Sequence, residues 1–338
     1  MHYSAVWAKT LSGLLTVVAC TLSFQESGMH LKNFSRPEMQ VRIVRILGMV
    51  PVYSITSWLS LISTTNESRL TLDFIRDLYE AFVIYNFISL LIRMGGGWRR
   101  TIFYLEDQPR APHFFPLKLC LPPVQLGQTF LILTRAAALQ FVLIKPLNGL
   151  LLLMAHQKGG LFGGFFSVNA VKRIAAITDN LSISAALYSL VMLHTALHNL
   201  LEKYHPLPKF WAVKMVVFFS FWQGVVLNAM VKVGFITDVE GFPASAQVSG
   251  IQDVLICLEM VVAALCHTVV FSWREWQDVD DLYDETEEKP LIAKILKIVD
   301  FRDFLTDWRD TVSGDGYEYE MRQNEPRNMC SNKSYTNI

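Results

Sequence analysis

The sequence predicts an all-α polytopic membrane protein, with seven transmembrane helices and a cytosolic C-terminal amphipathic helix. Three observations lead there. Charged residues make up 18% of the 338 positions, against about 25% in an ordinary soluble domain. The apolar residues gather in stretches of about 20 residues, the length that crosses a hydrocarbon layer of ~30 Å. Lysine and arginine then concentrate in every second loop between those stretches, as the positive-inside rule requires. The same composition excludes a disulfide scaffold, a disordered chain and an ordinary soluble enzyme. The five cysteines are odd in number and scattered, and they form no CxxC pair.

The expected spans are 6–24, 46–62, 72–92, 126–154, 174–198, 211–235 and 250–272. For residues 1–24 a cleaved signal peptide is the alternative, since Lys9 precedes the apolar run LLTVVAC, although no small-x-small cleavage site follows. The second span is short and holds Pro51, and the fourth holds Pro146. Both prolines predict a kink or tilt, because proline removes a backbone donor. Loops 25–45, 93–118 and 199–210 carry 11 Lys/Arg, whereas the alternate loops carry four, so the N-terminus is expected in the lumen and the tail in the cytosol. Of the Asn-x-Ser sites, Asn33 and Asn332 fall on the cytosolic side, Asn180 lies inside a span and Asn66 lies close to the membrane. No glycan is therefore expected at any of them.

Net charge divides at the last span. Residues 1–272, the seven-span domain, hold 21 Lys/Arg against 14 Asp/Glu, while residues 273–338 hold nine against 16. Within that tail, 273–289 reads as an acidic cytosolic linker, 290–313 as an amphipathic helix and 314–338 as disordered. The helix rests on Leu291, Ile295, Ile298, Leu305, Trp308 and Val312, with Lys294, Lys297, Arg302 and Arg309 between them. That pattern suits a helix lying on the membrane face or against the bundle.

Chemistry should reside where ionisable groups enter the spans, because such groups are costly in hydrocarbon and face an interior or a wet cavity. Glu80, Asp179, Asp253 and Glu259 are matched in number by Arg135, Lys145, Lys214 and Lys232. One reading makes them internal pairs that hold helices together. The other makes them a polar cavity whose cations receive an anionic amphipathic substrate. On the third span Asp73, Asp77 and Glu80 share a face, and Arg76 can reach Asp73 and Glu80. Lys145 precedes Pro146 at an interrupted helix, a suitable anion contact. Gln252, Glu259 and Cys266 recur every seven residues on the last span, and Lys214 and Gln223 play the same part on the sixth. The expected substrate-binding residues are Glu80, Asn86, Lys145, Lys214, Gln223 and Glu259.

Other chemistries find little support. His194 and His198 have metal-clamp spacing, but no HExxH glutamate and no third ligand accompany them, so neither metal nor cofactor is expected. The glycines at 95–97, 159–160 and 163–164 lack the Lys-Ser/Thr of a phosphate loop. No GxSxG elbow, nucleophile–base set or nucleic-acid module occurs, so catalysis is not expected. Two tail motifs suggest partners. Glu287, Leu291 and Ile292 fit an acidic dileucine sorting signal read by clathrin adaptors, or else Leu291 and Ile292 simply begin the helix. Trp276-Gln277-Asp278-Val279 fits an aromatic-x-x-aliphatic strand that docks on a ubiquitin-like autophagy modifier. Membrane lipids, and a second copy or an accessory subunit, complete the expected partners. The sorting signal places the protein in endosomal or lysosomal membranes, with some at the cell surface.

The runs MHLKNFSRPEMQVRIVRILGMVPVYSITSWLSL, IRDLYEAFVIYNFISLL, LQFVLIKPL, FFSFWQGVVL and IQDVLICLEMVVAAL, spread over residues 29–272, resemble the transmembrane protein 184 family. That family shares a fold with the organic solute transporter alpha subunit. The resemblance implies seven spans, a lumenal N-terminus, a cytosolic C-terminus and facilitated movement of amphipathic organic anions. It also places Glu80 and Asn86 within the family's motif. The transporter branch is cysteine-rich after the third span, whereas this loop offers only Cys120. That departure favours the rival expectation of a non-transporting receptor or trafficking scaffold that acts through loops and tail.

Overall fold

A computed structural model describes residues 2–63, 65–114, 117–120, 122–161, 166–238, 243–276 and 290–300, with Arg302, Leu305, Thr306 and Arg309 beyond them. The regular elements among these residues are helical, apart from isolated bridges such as Ala111 with Val124. They are α1 (His2–Lys32), α2 (Pro37–Leu47), α3 (Met49–Ile62), α4 (Asn66–Met94), α5 (Gly97–Glu106), α6 (Gln128–Lys158), α7 (Val168–Ala196), α8 (His198–Leu201), α9 (Pro206–Lys232), α10 (Ala244–Val270) and α11 (Leu291–Val299). The acidic linker beyond Trp276, with Glu287, and the tail after Arg309 lie outside the described residues.

Among the described residues five stretches are long and apolar enough to cross a membrane: Val6–Lys32, Pro37–Ile62, Gln128–Lys158, Val168–Ala196 and Ala246–Trp276. A sixth appears when Glu67–Met94 is joined to Gly97–Glu106 across a 73° bend. The sequence led us to expect seven. The two remaining expected spans fall in α4 and α9, of 29 and 27 residues, each about 40 Å long at 1.5 Å per residue. In α4 the apolar pattern is diluted because Asp73, Arg76, Asp77 and Glu80 crowd its first half. Gly96 and Gly97 make the bend after it, with φ of 93° and 86° that a side chain would oppose.

The largest departure from the expected boundaries lies in residues 25–45, expected as a loop and found mostly helical. α1 continues to Lys32, and α2 starts with Pro37 in its first turn, where a missing N–H costs no hydrogen bond. The second span breaks at Gly48. A Cβ there would stand 2.1 Å from the Tyr79 hydroxyl, which donates to the Arg45 carbonyl at 2.7 Å. Pro51 cannot donate to the carbonyl of Leu47, four residues back, and the Ser23 hydroxyl of α1 donates to that oxygen at 2.8 Å.

α10 packs against α1, α3 and α9; α4 joins α2 and α3 on one side to α6 on the other, and α7 lies along α6. α7 and α9 thus lean on different partners, α6 and α10, and meet at His194 and Phe210. The 3-10 turn Trp273–Trp276 folds back onto the bundle. His30 Nε2 is 2.7 Å from the Phe271 carbonyl, Ser35 donates to the Trp276 carbonyl at 2.9 Å, and Lys209 pairs with Glu275 at 2.9 Å. α11 covers the first part of the helix expected over 290–313 and ends at an extended Asp300, beyond which the described residues Arg302, Leu305, Thr306 and Arg309 are again helical.

Candidate substrate site

The acidic face of α4 meets its cations in the interior. Asp73, Asp77 and Glu80 lie one helical turn apart, and each is engaged differently. Arg76 grips Asp73 at 2.6 Å and donates to Ser57 of α3 at 3.4 Å. Lys145 of α6 stands between two carboxylates, 3.5 Å from Asp77 and 3.8 Å from Asp179 of α7. Asn148, one turn along from Lys145, donates to Asp179 and to Thr178, both at 2.7 Å. Glu80 is buried and accepts from the Tyr53 hydroxyl of α3 at 3.1 Å, rather than from Arg76. Four helices are thereby fastened by side chains that neutralise one another, as intramembrane charges must. The close approach of α4 to α6 depends on Gly149, where a Cβ would come 2.5 Å from the Phe74 ring.

Against α4, residues of α7 and α9 line a narrow cleft that encloses about 350 Å3 of space, open solvent included. Its walls are apolar: Ile84 and Phe87 from α4, Leu187 and Leu190 from α7, Phe210 and Val213 from α9. Lys214 is the one charged group in this lining among the described residues. No described residue gives its ammonium a hydrogen bond or an ion pair, and Glu80, one turn from Ile84, is the acid whose field reaches it. An apolar slot with one placed charge suits an amphipathic ion, since the walls take the body and the charge orients the head.

The C-terminal half of α4 is different in kind. Asn86 uses its amide to bond its own helix at Phe82 (2.8 Å) and accepts from Arg45 Nη1 at 3.4 Å. Arg45 is 3% exposed. It reaches the C-terminal carbonyls of α11, donating to Ile298 at 2.9 Å, Lys297 at 3.4 Å and Asp300 at 2.5 Å. Lys294 returns the contact, donating to the Leu31 carbonyl at the end of α1 at 2.9 Å. Both are cations placed at helix C-termini, where the dipole favours them. At the residue that caps α11, Arg302 holds the Asp300 carboxyl well below the usual range, at about 2, through bonds of 2.7–2.9 Å.

The six expected substrate residues thus fall into three groups. Glu80, Lys145 and Lys214 share one region, Lys145 within ion pairs and Lys214 outside them. Gln223 donates to Glu259 across α9 and α10, away from the cleft lining, while Glu259 Oε2 is buried without a hydrogen-bond partner among the described residues. Asn86 belongs with Arg45. Sequence reasoning missed Tyr53, Asn148 and Arg45. For Arg45 a signal was present: an arginine in the apolar run RIVRILG is placed for burial. His194 stacks on Phe210 at 6.4 Å between ring centroids, and no cluster of three metal-binding side chains occurs among the described residues. Trp276 is 2% exposed and stacks on Tyr204, so a modifier could capture it only after the ring is withdrawn; Gln277, Asp278 and Val279 lie outside the described residues.

No solved structure matches the chain. The family described as organic solute transporter Ostalpha matches residues 8–276, an interval holding α1 to α10, the paired network and the cleft. On that match, the chain belongs to the organic solute transporter Ostalpha family.

Proposed function

We propose that the protein is a facilitative carrier of amphipathic organic anions, working within a seven-span bundle that includes α4 and α9. The cleft between α4, α7 and α9 takes the apolar body of the substrate, and Lys214 takes its anionic head. One observation carries this reading: an apolar cleft holds a single ammonium that no described side chain pairs. The transporter family supports it. Lys145 acts in the bundle as a strut, because Asp77 and Asp179 already answer its charge. Time-dependent uptake of a labelled steroid sulfate or taurocholate into proteoliposomes tests the proposal, and uptake no faster than in empty liposomes would end it.

The topology belongs to the same proposal: lumenal N-terminus, cytosolic C-terminus, and the arginine-rich end of α4 in the cytosol. Protease digestion of a C-terminal tag on sealed vesicles tests it, a protected tag being the contrary result. Within the family we place the chain in the transmembrane protein 184 branch, on the runs quoted above.

A second reading, a trafficking scaffold of endosomal and lysosomal membranes, is favoured by the exposure of Leu291 (57%) and Ile292 (71%). Both are within an adaptor's reach at the start of α11. Replacing them with alanine should move the protein to the plasma membrane at unchanged abundance, and unaltered endosomal staining would remove this reading.

A further inference from the structure

The nine-residue α11 is fastened to the bundle along one edge. Lys294 donates to the Leu31 carbonyl at 2.9 Å and lies 5.5 Å from the Phe34 ring centroid. The carbonyls of Lys297, Ile298 and Asp300 accept from Arg45. Ile298, one turn after Lys294, is half-buried on the same side. Leu291, Ile292, Ile295, Leu296 and Val299 form the adjoining face, each between 43% and 71% exposed. Their spacing sets them side by side on a helix, and Ala293 and Lys297 make up what remains.

Helices shorter than about 12–15 residues are marginal in water, and burial of an apolar face is what holds them. The bundle leaves this face open, so another apolar phase has to cover it. The anchors of α11 identify that phase. Leu31 lies at the end of Val6–Lys32 and Arg45 lies in Pro37–Ile62, both long and apolar enough to cross a membrane. α11 is therefore tied to two spans, and the apolar phase beside it is the bilayer. From Leu291 to Val299 it carries two lysines and no carboxylate, a balance that anionic headgroups attract. We infer that α11 lies in the headgroup–acyl boundary of the membrane beside α1 and α2, with Leu291, Ile292, Ile295, Leu296 and Val299 in lipid and Lys297 toward water. The topology proposed above names the leaflet as the cytosolic one, but the seat itself does not depend on it. In that seat Leu291 and Ile292 are covered, so the trafficking reading requires the first turn of α11 to lift before an adaptor can bind them.

The test reconstitutes the full chain in liposomes of phosphatidylcholine and phosphatidylserine, with a fluorescent amino acid placed by stop-codon suppression at 292, 296 or 297. All three positions are exposed, so the probe does not disturb the fold. Phosphatidylcholine brominated on its acyl chains, present in both leaflets, should quench the probe at 292 and 296 several-fold more than at 297. Iodide in the water should do the reverse. Because both leaflets carry bromine, an inverted topology would leave this result unchanged. Equal quenching by bromolipid at 296 and 297 would overturn the seat. Shielding of 292 and 296 from both quenchers would overturn it too, since protein would then cover the face. Leu296→Asp should raise amide exchange over 291–299 several-fold in the same liposomes, and Lys297→Gln should leave it as it was. Native exchange in Leu296→Asp would contradict the lipid contact.

Discussion

The two halves of α4 handle charge in opposite ways. In the first half, carboxylates at Asp73, Asp77 and Glu80 meet Arg76, Lys145 and the Tyr53 hydroxyl, so most charge is answered by an opposite charge. Around the second half, arginines from α2 and α6 also reach neutral groups. Arg45 bonds the carbonyls of α11, Arg42 bonds Ser89 and the Glu38 carbonyl, and Arg135 lies over the Trp98 ring. The first half is therefore a fastening between opposite charges on different helices, while the arginines around the second half are also held by backbone carbonyls, a serine hydroxyl and an indole ring. Lys214 stands outside both patterns, in a greasy cleft with its charge unspent.

The sharpest way to break that contrast is to unpair the fastening. Lys145→Ala leaves Asp77 and Asp179 facing each other with no cation between them. Because these side chains are partly exposed, the cost should be about 2 kcal/mol, below the 3–5 kcal/mol of a fully buried pair. Thermal unfolding in detergent should register it, and the double change Asp77→Asn with Asp179→Asn should restore much of the loss. Gly48→Ala comes next, because its new Cβ collides with the Tyr79 hydroxyl and disturbs the carbonyl of Arg45. Overpacking of this kind costs about 1–3 kcal/mol, again read as a lower unfolding temperature. Arg45→Gln should leave the bundle folded and release α11. Amide exchange over 291–299 would rise several-fold while that of α10 stays unchanged.

The smallest expected effect concerns pH at the end of α11. Asp300 has a carboxyl depressed from 3.8 to about 2 by Arg302, so the hold of this pair on the end of α11 is present above 3.8 and fades as pH falls toward 2. Exchange of α11, corrected for intrinsic rates, should therefore be flat from pH 8 to 5. A rise within that window would mean that another group controls the contact.

The long apolar helices and the acidic face of α4 were legible because each depends on residues close in sequence. Asp73, Arg76 and Asp77 fall on one face by spacing alone, and the Arg76–Asp73 pair is an i, i+3 neighbour. What spacing cannot show is a partner on another helix. Lys145 looked available to a substrate because Asp77 and Asp179 are 68 and 34 positions away, and only packing sets them around it. Arg45 was assigned to a loop for a related reason. The carbonyls that hold it are more than 250 residues further on, so the apolar run around it hinted at burial but not at its partners. The cleft was hidden too, since Leu187 and Phe210 resemble any lipid-facing residues until packing sets them around α4.

The distinction between spent and unspent cations is tested most directly by initial uptake rates of a labelled steroid sulfate, measured in proteoliposomes holding equal amounts of folded protein. Lys214→Ala should lower the rate about tenfold or more, the usual loss of one charge-assisted contact, with no fall in thermal unfolding temperature. Uptake by Lys214→Ala at the rate of the unaltered protein would contradict the role of Lys214 as the anion contact.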